Sequence, residues 1–245
     1  MNNSSRVVLI TGAGRRVGAA TARALHAAGW NLLIHARQSA AEASSLADEL
    51  ERVRKDSAQP LQADLQRPEH IEELAALAQR RWGRLDALVN NASSYYKTPF
   101  GEITAQQVDE LLGSNLRAPL LLTQACARFD TLKAVVNILD VHARKPMPKY
   151  SAYLAGKAGL WTLTEALALE LAPRVRVNGV APGHMIWATH NSMSESQKSA
   201  ELSRVPLGRL GGGEEIARAV KFLLSEEAAY ITGAVLPVDG GLRLA

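Results

Sequence analysis

Three residues near the middle of the chain have the types and spacing to deliver a proton: Asp140, Tyr153 and Lys157. Tyr153 and Lys157 are four apart, and residues four apart on a helix are neighbours on one face. A phenol and an ammonium would then lie side by side. An apolar run, Val135–Leu139, ends at Asp140, and the polar loop that follows can fold the carboxyl back to the phenol. Acid, phenol and cation at the carboxyl end of a parallel strand make a proton-delivery site. A neighbouring cation favours phenolate and lowers a phenol's pKa from about 10. Burial must raise the carboxyl from its reference pKa of about 3.9 before it holds a proton near neutrality. Each residue alone has a plainer reading, such as a strand-end Asp capping a turn or a lysine on a helix surface. Their alignment favours chemistry.

The elements that must position them follow from periodicity and turn chemistry. Arg6–Thr11 is a β-branched strand broken by Gly12-Ala13-Gly14, and Val17–Ala28 continues as an Ala-rich helix. Further strands are expected at Asn31–His35, Pro60–Ala63, Leu85–Asn90, Val135–Leu139, Val175–Val180 and Ala234–Val238. Helices are expected at Ala40–Lys55, Pro68–Trp82, around Thr104–Gly113 and Pro119–Arg128, and at Ser151–Leu171 and Glu214–Ser225. Strands alternating with helices argue a doubly wound (Rossmann) parallel sheet of about seven strands with helices on both faces. No repeat or linker divides the chain, so residues 1–245 are one domain, with a cofactor half at about 1–135 and a catalytic and substrate half at about 136–245. Ligands of such sheets lie across the carboxyl ends of the strands at the topological switch. Gly183–Pro206 is polar and weakly patterned, and residues 187–205 are expected to form a lid.

Strand, glycine turn and helix together suit a pyrophosphate, because main-chain N–H groups and the helix dipole favour anions there. Gly12 and Gly18 permit the tight turn. Arg16 places a cation at a helix start, where the dipole disfavours it, so a phosphate to neutralise is the better explanation. The second strand ends in Arg37, Gln38 and Ser39, with no acid before Glu42. An NAD site places an acid there for the ribose 2′-hydroxyl. A cation with two hydrogen-bonding neighbours suits a 2′-phosphate, hence NADPH.

Composition narrows the class. Hydrophobic residues make up 47% and charged residues 21%, ordinary for a soluble globular protein. The net charge of +4 comes with scattered arginines, so nucleic acid is not indicated. One cysteine, Cys126, excludes an internal disulfide and suits a reducing compartment. No signal pattern, membrane-length apolar run or metal-ligand spacing is present in the sequence. A cytoplasmic protein is expected.

The motifs Thr11-Gly12 through Gly18, Asn90-Asn91-Ala92, Asn115, Tyr153-x-x-x-Lys157, Pro182-Gly183 and Asp239-Gly240-Gly241, in this order, resemble the short-chain dehydrogenase/reductase family. Three departures resemble its pteridine reductases: TGAGRRVG with Arg16, NNASSYY after the fourth strand, and Asp140 where most members carry serine, thirteen residues before Tyr153. The resemblance implies a homotetramer that uses NADPH to reduce a dihydropterin or dihydrofolate. It implies a cofactor site of Gly12, Arg15, Arg16, Val17, Gly18, Arg37, Gln38, Ser39, Asp64, Leu65, Asn91, Ala92, Ser93, Asn115, Tyr153, Lys157, Pro182 and Gly183, with Asp64 meeting the adenine. Asn115 would stabilise a kinked helix or a bound water. Arg16, Ser93, Tyr95, Asp140 and Tyr153 would hold the substrate, with the pterin between Tyr95 and the nicotinamide. Tyr96 is expected to pack, His142 to line the pocket, and His184 to pack or hydrogen-bond rather than act as an acid. His184-Met185 after Pro182-Gly183 departs from the usual small or polar pair. An ionised Asp140 would repel a developing oxyanion, whereas a pterin ring nitrogen must gain a proton. Two rivals remain: a carbonyl reductase of 3-oxoacyl or sugar substrates, and a non-catalytic NADPH-sensing protein.

Overall fold

A computed structural model describes residues 5–185 and 194–245. Seven strands form one parallel sheet: β1 (Val7–Ile10), β2 (Asn31–Ala36), β3 (Ala58–Gln62), β4 (Ala87–Asn90), β5 (Ala134–Ile138), β6 (Arg176–Pro182) and β7 (Val235–Val238). Their order is β3-β2-β1-β4-β5-β6-β7. The order reverses between β1 and β4, so a crevice opens there above the strand ends.

Buried strands alternate their side chains between two helical layers. Val8 and Ile10 of β1 face α1 (Arg16–Ala27), α2 (Ala40–Val53) and α8 (Gly213–Leu224), through Ala22, Leu46 and Val220 among others. Val7 and Leu9 face α3 (Pro68–Trp82), α5 (Ala118–Ala127) and α6 (Ser151–Glu170), through Leu74, Leu122 and Leu167. A strand buried on both faces reads as an uninterrupted apolar run rather than an alternation.

Two segments differ from expectation for physical reasons. The helix expected around Thr104–Gly113 is α4 (Ala105–Leu112), opened by a Thr104–Gln107 capping box, and it runs without a break through a π-helical turn, Gly113–Arg117, into α5. The end of the Gln66 side chain lies where a Cβ on Gly113 would sit, so a larger residue there would have to displace it. The stretch expected as a lid holds a further helix, α7 (Glu195–Ser203), with its own Ser194–Gln197 capping box. Residues 187–193 lie outside the described residues. Among the described residues no helix is long and apolar enough to cross a membrane.

The glycine turn between β1 and α1 is tightly packed. Gly12 has φ +63, in the left-handed region that favours glycine. A Cβ on Gly18 would come 2.5 Å from the Gly12 carbonyl oxygen and 2.7 Å from Ala13 Cα. Both obstacles are backbone, so no side-chain rotation relieves them. Gly18→Ala is expected to cost about 2–4 kcal/mol of stability by overpacking. Chemical denaturation reads this directly, and an unchanged midpoint would refute the close approach.

Candidate active site

β5 and α6 bring the three central residues together. Tyr153 and Lys157 lie on the buried face of α6, 5% and 3% exposed. The strand ends at Ile138, and Asp140 follows in extended conformation. The Tyr153 hydroxyl donates to Asp140 Oδ2 at 2.8 Å. Asp140 Oδ1 accepts the His142 main-chain N–H at 2.8 Å, so both carboxylate oxygens are engaged. Lys157 Nζ donates to the Ile138 carbonyl at 2.8 Å and lies 6.0 Å from the Tyr153 ring centroid.

Electrostatics correct one expectation. Lys157 does not lower the phenol. Burial first, then the Asp140 charge and the hydrogen bond to it, hold Tyr153 well above the usual tyrosine range. Burial lowers Lys157 to about 8, opposed by attraction to Asp140. The ammonium loses hydration in the interior, and one carbonyl and one nearby carboxylate replace it only in part.

The fourth strand's end serves chiefly as a brace. The Asn91 side-chain amide donates to the carbonyls of Thr11 (2.8 Å) and Gly12 (3.0 Å). Thr11 Oγ1 accepts the N–H groups of Asn91 (2.9 Å) and Ala92 (3.0 Å). Ala92 Cα would lie 2.9 Å from a Cβ on Gly12. Exposed Ser93 donates to Asn115 Oδ1 at 2.8 Å. Asn115, fully buried in the π-helical turn, directs its amide at the carbonyls of Ser94 (2.9 Å) and Leu111 (3.0 Å). The expected kinked helix is this π turn, a feature frequent at functional sites.

Tyr95 stacks on Tyr150, with centroids 4.9 Å and planes 13° apart, and meets Tyr153 edge-on at 4.9 Å and 80°. It is 55% exposed, so an aromatic platform borders the phenol. Tyr96 packs against Leu111 and Ala152 and donates to Glu110 Oε2 at 3.2 Å, as its packing role requires. His142 is buried with Nδ1 3.0 Å from the Lys145 carbonyl, and its ring centroid lies 5.6 Å from that of His184. His184 pairs with Glu201 of α7 at 3.7 Å.

The cofactor side is built from β1, β2, β3 and α1. Arg15 stands at the N-cap position of α1 without capping it, and its Nε donates to Glu42 at 2.9 Å. Arg16 is exposed at φ +52, an uncommon conformation for a residue with a Cβ. Val17 packs on the core beneath. Arg37 is half-buried and 3.7 Å from Asp64, beside exposed Gln38 and half-buried Ser39. Ser39 Oγ would lie 2.8 Å from a Cβ on Gly14. Leu65 turns its side chain into the core. Pro182 ends β6, and the Gly183 N–H donates to the Val238 carbonyl at 3.1 Å. A Cβ on Gly183 would meet Asp239 Cα at 2.7 Å. The glycine positions are therefore packed closely against the chain's own atoms, and the tight turn they permit at the start of α1, with Arg16 beside it and Arg37 after β2, fits a nucleotide's pyrophosphate and ribose phosphate. Among the described residues, no cluster of His, Cys, Asp or Glu could hold a metal.

Sequence reasoning passed over a buried chain of polar residues. Asn90 donates to Asn137 Oδ1 (2.9 Å), Asn137 to Thr164 (2.9 Å), and Thr164 to the Leu160 carbonyl (2.8 Å). It joins β4, β5 and α6 directly behind Lys157. An asparagine inside the run Val135–Leu139 was the available signal. Tyr150 was also passed over, three residues before Tyr153 and easily taken for a loop residue.

A parallel sheet with this switch point, a tight glycine turn and a buried Tyr–Lys pair at a strand end define a nucleotide-dependent α/β enzyme. Residues 12–243 match the family described as enoyl-(acyl carrier protein) reductase. The chain is 36% identical to pteridine reductase 1 of Leishmania tarentolae, over 97% of this chain and 96% of that protein. It is 34% identical to 3-oxoacyl-(acyl-carrier-protein) reductase FabG of Escherichia coli over the full length of both, and 33% identical to human L-xylulose reductase over 97% and 96%. The chain belongs to the short-chain dehydrogenase/reductase family and is an oxidoreductase.

Tyr153 is expected to stay protonated past pH 10, where an exposed tyrosine ionises. Its folded pKa lies above the unfolded value, so its stabilising contribution is complete below about pH 10 and fades as pH rises further. In a phenolate absorbance titration, Tyr153→Phe should remove no transition below pH 10. Loss of a transition near neutrality would show a Lys157-activated phenol instead.

Proposed function

We propose that this chain is an NADPH-dependent pteridine reductase, converting dihydropterins or dihydrofolate to their tetrahydro forms. The observation that carries this reading is the Tyr153–Asp140 hydrogen bond of 2.8 Å beside an exposed aromatic platform. Similarity to a pteridine reductase supports it. The cofactor, when bound, supplies the hydride. Lys157 would orient the nicotinamide ribose, and Arg16, Ser93 and Tyr95 would hold the flat substrate ring. Tyr153 delivers a proton to the ring nitrogen next to the carbon that is reduced.

Delivery requires two protons on the pair. With only the phenol protonated, its O–H is spent on Asp140. When Asp140 also carries a proton, the carboxyl O–H donates to the phenol oxygen, and the phenol O–H turns to the substrate. Once the phenol has given its proton, Asp140 restores it, so no phenolate is left facing a carboxylate.

Asp140→Ser tests the substrate class. It should lower dihydrobiopterin turnover by about 100-fold or more, the scale of a lost general acid, while leaving NADPH affinity unchanged. Unchanged turnover would remove Asp140 from the mechanism. Similarity to FabG and to L-xylulose reductase favours the second reading, a carbonyl reductase of 3-oxoacyl or sugar substrates. A panel of ketones against dihydropterins, followed at the nicotinamide absorbance, separates the two. Binding of NADPH with turnover of neither would favour the non-catalytic, NADPH-sensing reading.

The choice of NADPH is supported by Arg37, Gln38 and Ser39 at the β2 end and by the engagement of Glu42 with Arg15. Arg37 must share its charge between Asp64 and a 2′-phosphate. Arg37→Ala should narrow the preference for NADPH over NADH by about tenfold, one charge-assisted hydrogen bond's worth. An unaltered ratio of Kd values would place recognition elsewhere. A cytoplasmic homotetramer completes the proposal, supported by the outer strand β7, where Leu236 is exposed, and by exposed Tyr230. Sedimentation velocity reads the assembly.

A further inference from the structure

His35 of β2 is 1% exposed and hydrogen-bonded at both ring nitrogens. Its Nδ1 lies 3.2 Å from the Gly12 main-chain nitrogen, and its Nε2 lies 3.1 Å from the Ala63 carbonyl. An amide can only donate and a carbonyl can only accept. One protonation state satisfies both: neutral imidazole with the hydrogen on Nε2. The His35 carbonyl also accepts the Ala13 N–H at 2.8 Å. His35 therefore turns two successive N–H groups of the glycine turn inward. Its other end reaches the residue before Asp64, across two strand junctions.

We propose that His35 is the positioning residue of the cofactor turn, fixing the glycine turn after β1 from β2 through the Gly12 N–H. This rests on the dinucleotide reading given above. The charged group that acts on the ring is Asp64 at the end of β3, itself 3.7 Å from Arg37 after β2. Burial keeps the ring at about 4, opposed by the Ala63 carbonyl and Asp64, so it is neutral wherever the enzyme works. A protonated ring would set N–H against the Gly12 N–H and release the turn.

Two variants separate the ends of the ring. His35→Asn keeps an acceptor where Nδ1 lies and loses the reach to Ala63. His35→Gln keeps a donor at the Nε2 position and loses the acceptor for Gly12. Kd for NADPH is measured by fluorescence titration, with melting temperature and Gly12 amide hydrogen exchange measured in the cofactor-free protein. The expected result is a rise in Kd of about tenfold for His35→Gln and under about threefold for His35→Asn, the scale of one lost hydrogen bond. Both variants should melt lower, and Gly12 exchange should speed only in His35→Gln. Equal Kd values for the two, or Kd changes that merely follow melting temperature, would overturn the proposal. If both variants fail to fold, wild-type Gly12 exchange decides: corrected for intrinsic rate, protection should fall as pH drops toward 4, and constant protection overturns it. Wild-type protein that binds no dinucleotide at all, with Gly12 protected, would sink the cofactor reading and this positioning role with it while leaving the His35–Gly12 bond intact.

Discussion

A hydrogen bond of 2.8 Å between the Tyr153 phenol and Asp140 Oδ2 ties the end of β5 to the first turn of α6. It constrains the rest of the site because neither element fixes it alone. The strand must end at Ile138, so that its carbonyl meets Lys157, and Asp140 must leave it extended. The loop must then return at Tyr150, so that the helix presents Tyr153 one turn before Lys157. Each requirement is met by local chemistry. The Asp140 side chain caps the short turn after the strand through the His142 N–H, and the four-residue spacing does the rest.

Holding this arrangement costs stability. Lys157 is buried with one carbonyl as its hydrogen-bond acceptor, and its ammonium is lowered to about 8. The Asn90–Asn137–Thr164 chain behind it places amides and a hydroxyl where packed apolar side chains would fit as well. A buried polar group is tolerable only when fully paired, and a paired set permits few alternative geometries. The chain therefore fixes β4, β5 and α6 in register, a second function for side chains that contribute little net free energy. Asn91 and Thr11 do the same for β1 and β4, spending their polar atoms on the glycine turn.

The fold was legible because its signals are local. Apolar runs, glycine breaks and capping residues mark the seven strands within a few residues of their observed ends, and Pro68–Trp82 agrees at both ends. That Asp140, Tyr153 and Lys157 come together was legible because two of them share a helix face and the third follows a strand. What escaped depends on pairing across the sheet. Nothing local separates Asn137 as a brace from an asparagine that disrupts a strand. Nothing near His35 shows that its ring lies between Gly12 and Ala63, since those partners come from strands on either side. The sign of the Tyr153 shift escaped for a related reason: the lysine is adjacent in sequence, but burial and the carboxylate dominate.

That sign bears on substrate class. A phenol lowered toward neutrality by a cation suits proton release to an alkoxide, a strong base that takes a proton from almost any donor. A phenol held protonated beside a carboxyl group is a weaker acid, and it needs a partner that can replace the proton as it leaves. A ring nitrogen that becomes basic only as hydride arrives is matched to such a two-proton reservoir. A serine at position 140 could align a carbonyl oxygen but could not refill the phenol. With one cation and one carboxyl group flanking it, the tyrosine can lose and regain its proton without a net charge being stranded in the buried site.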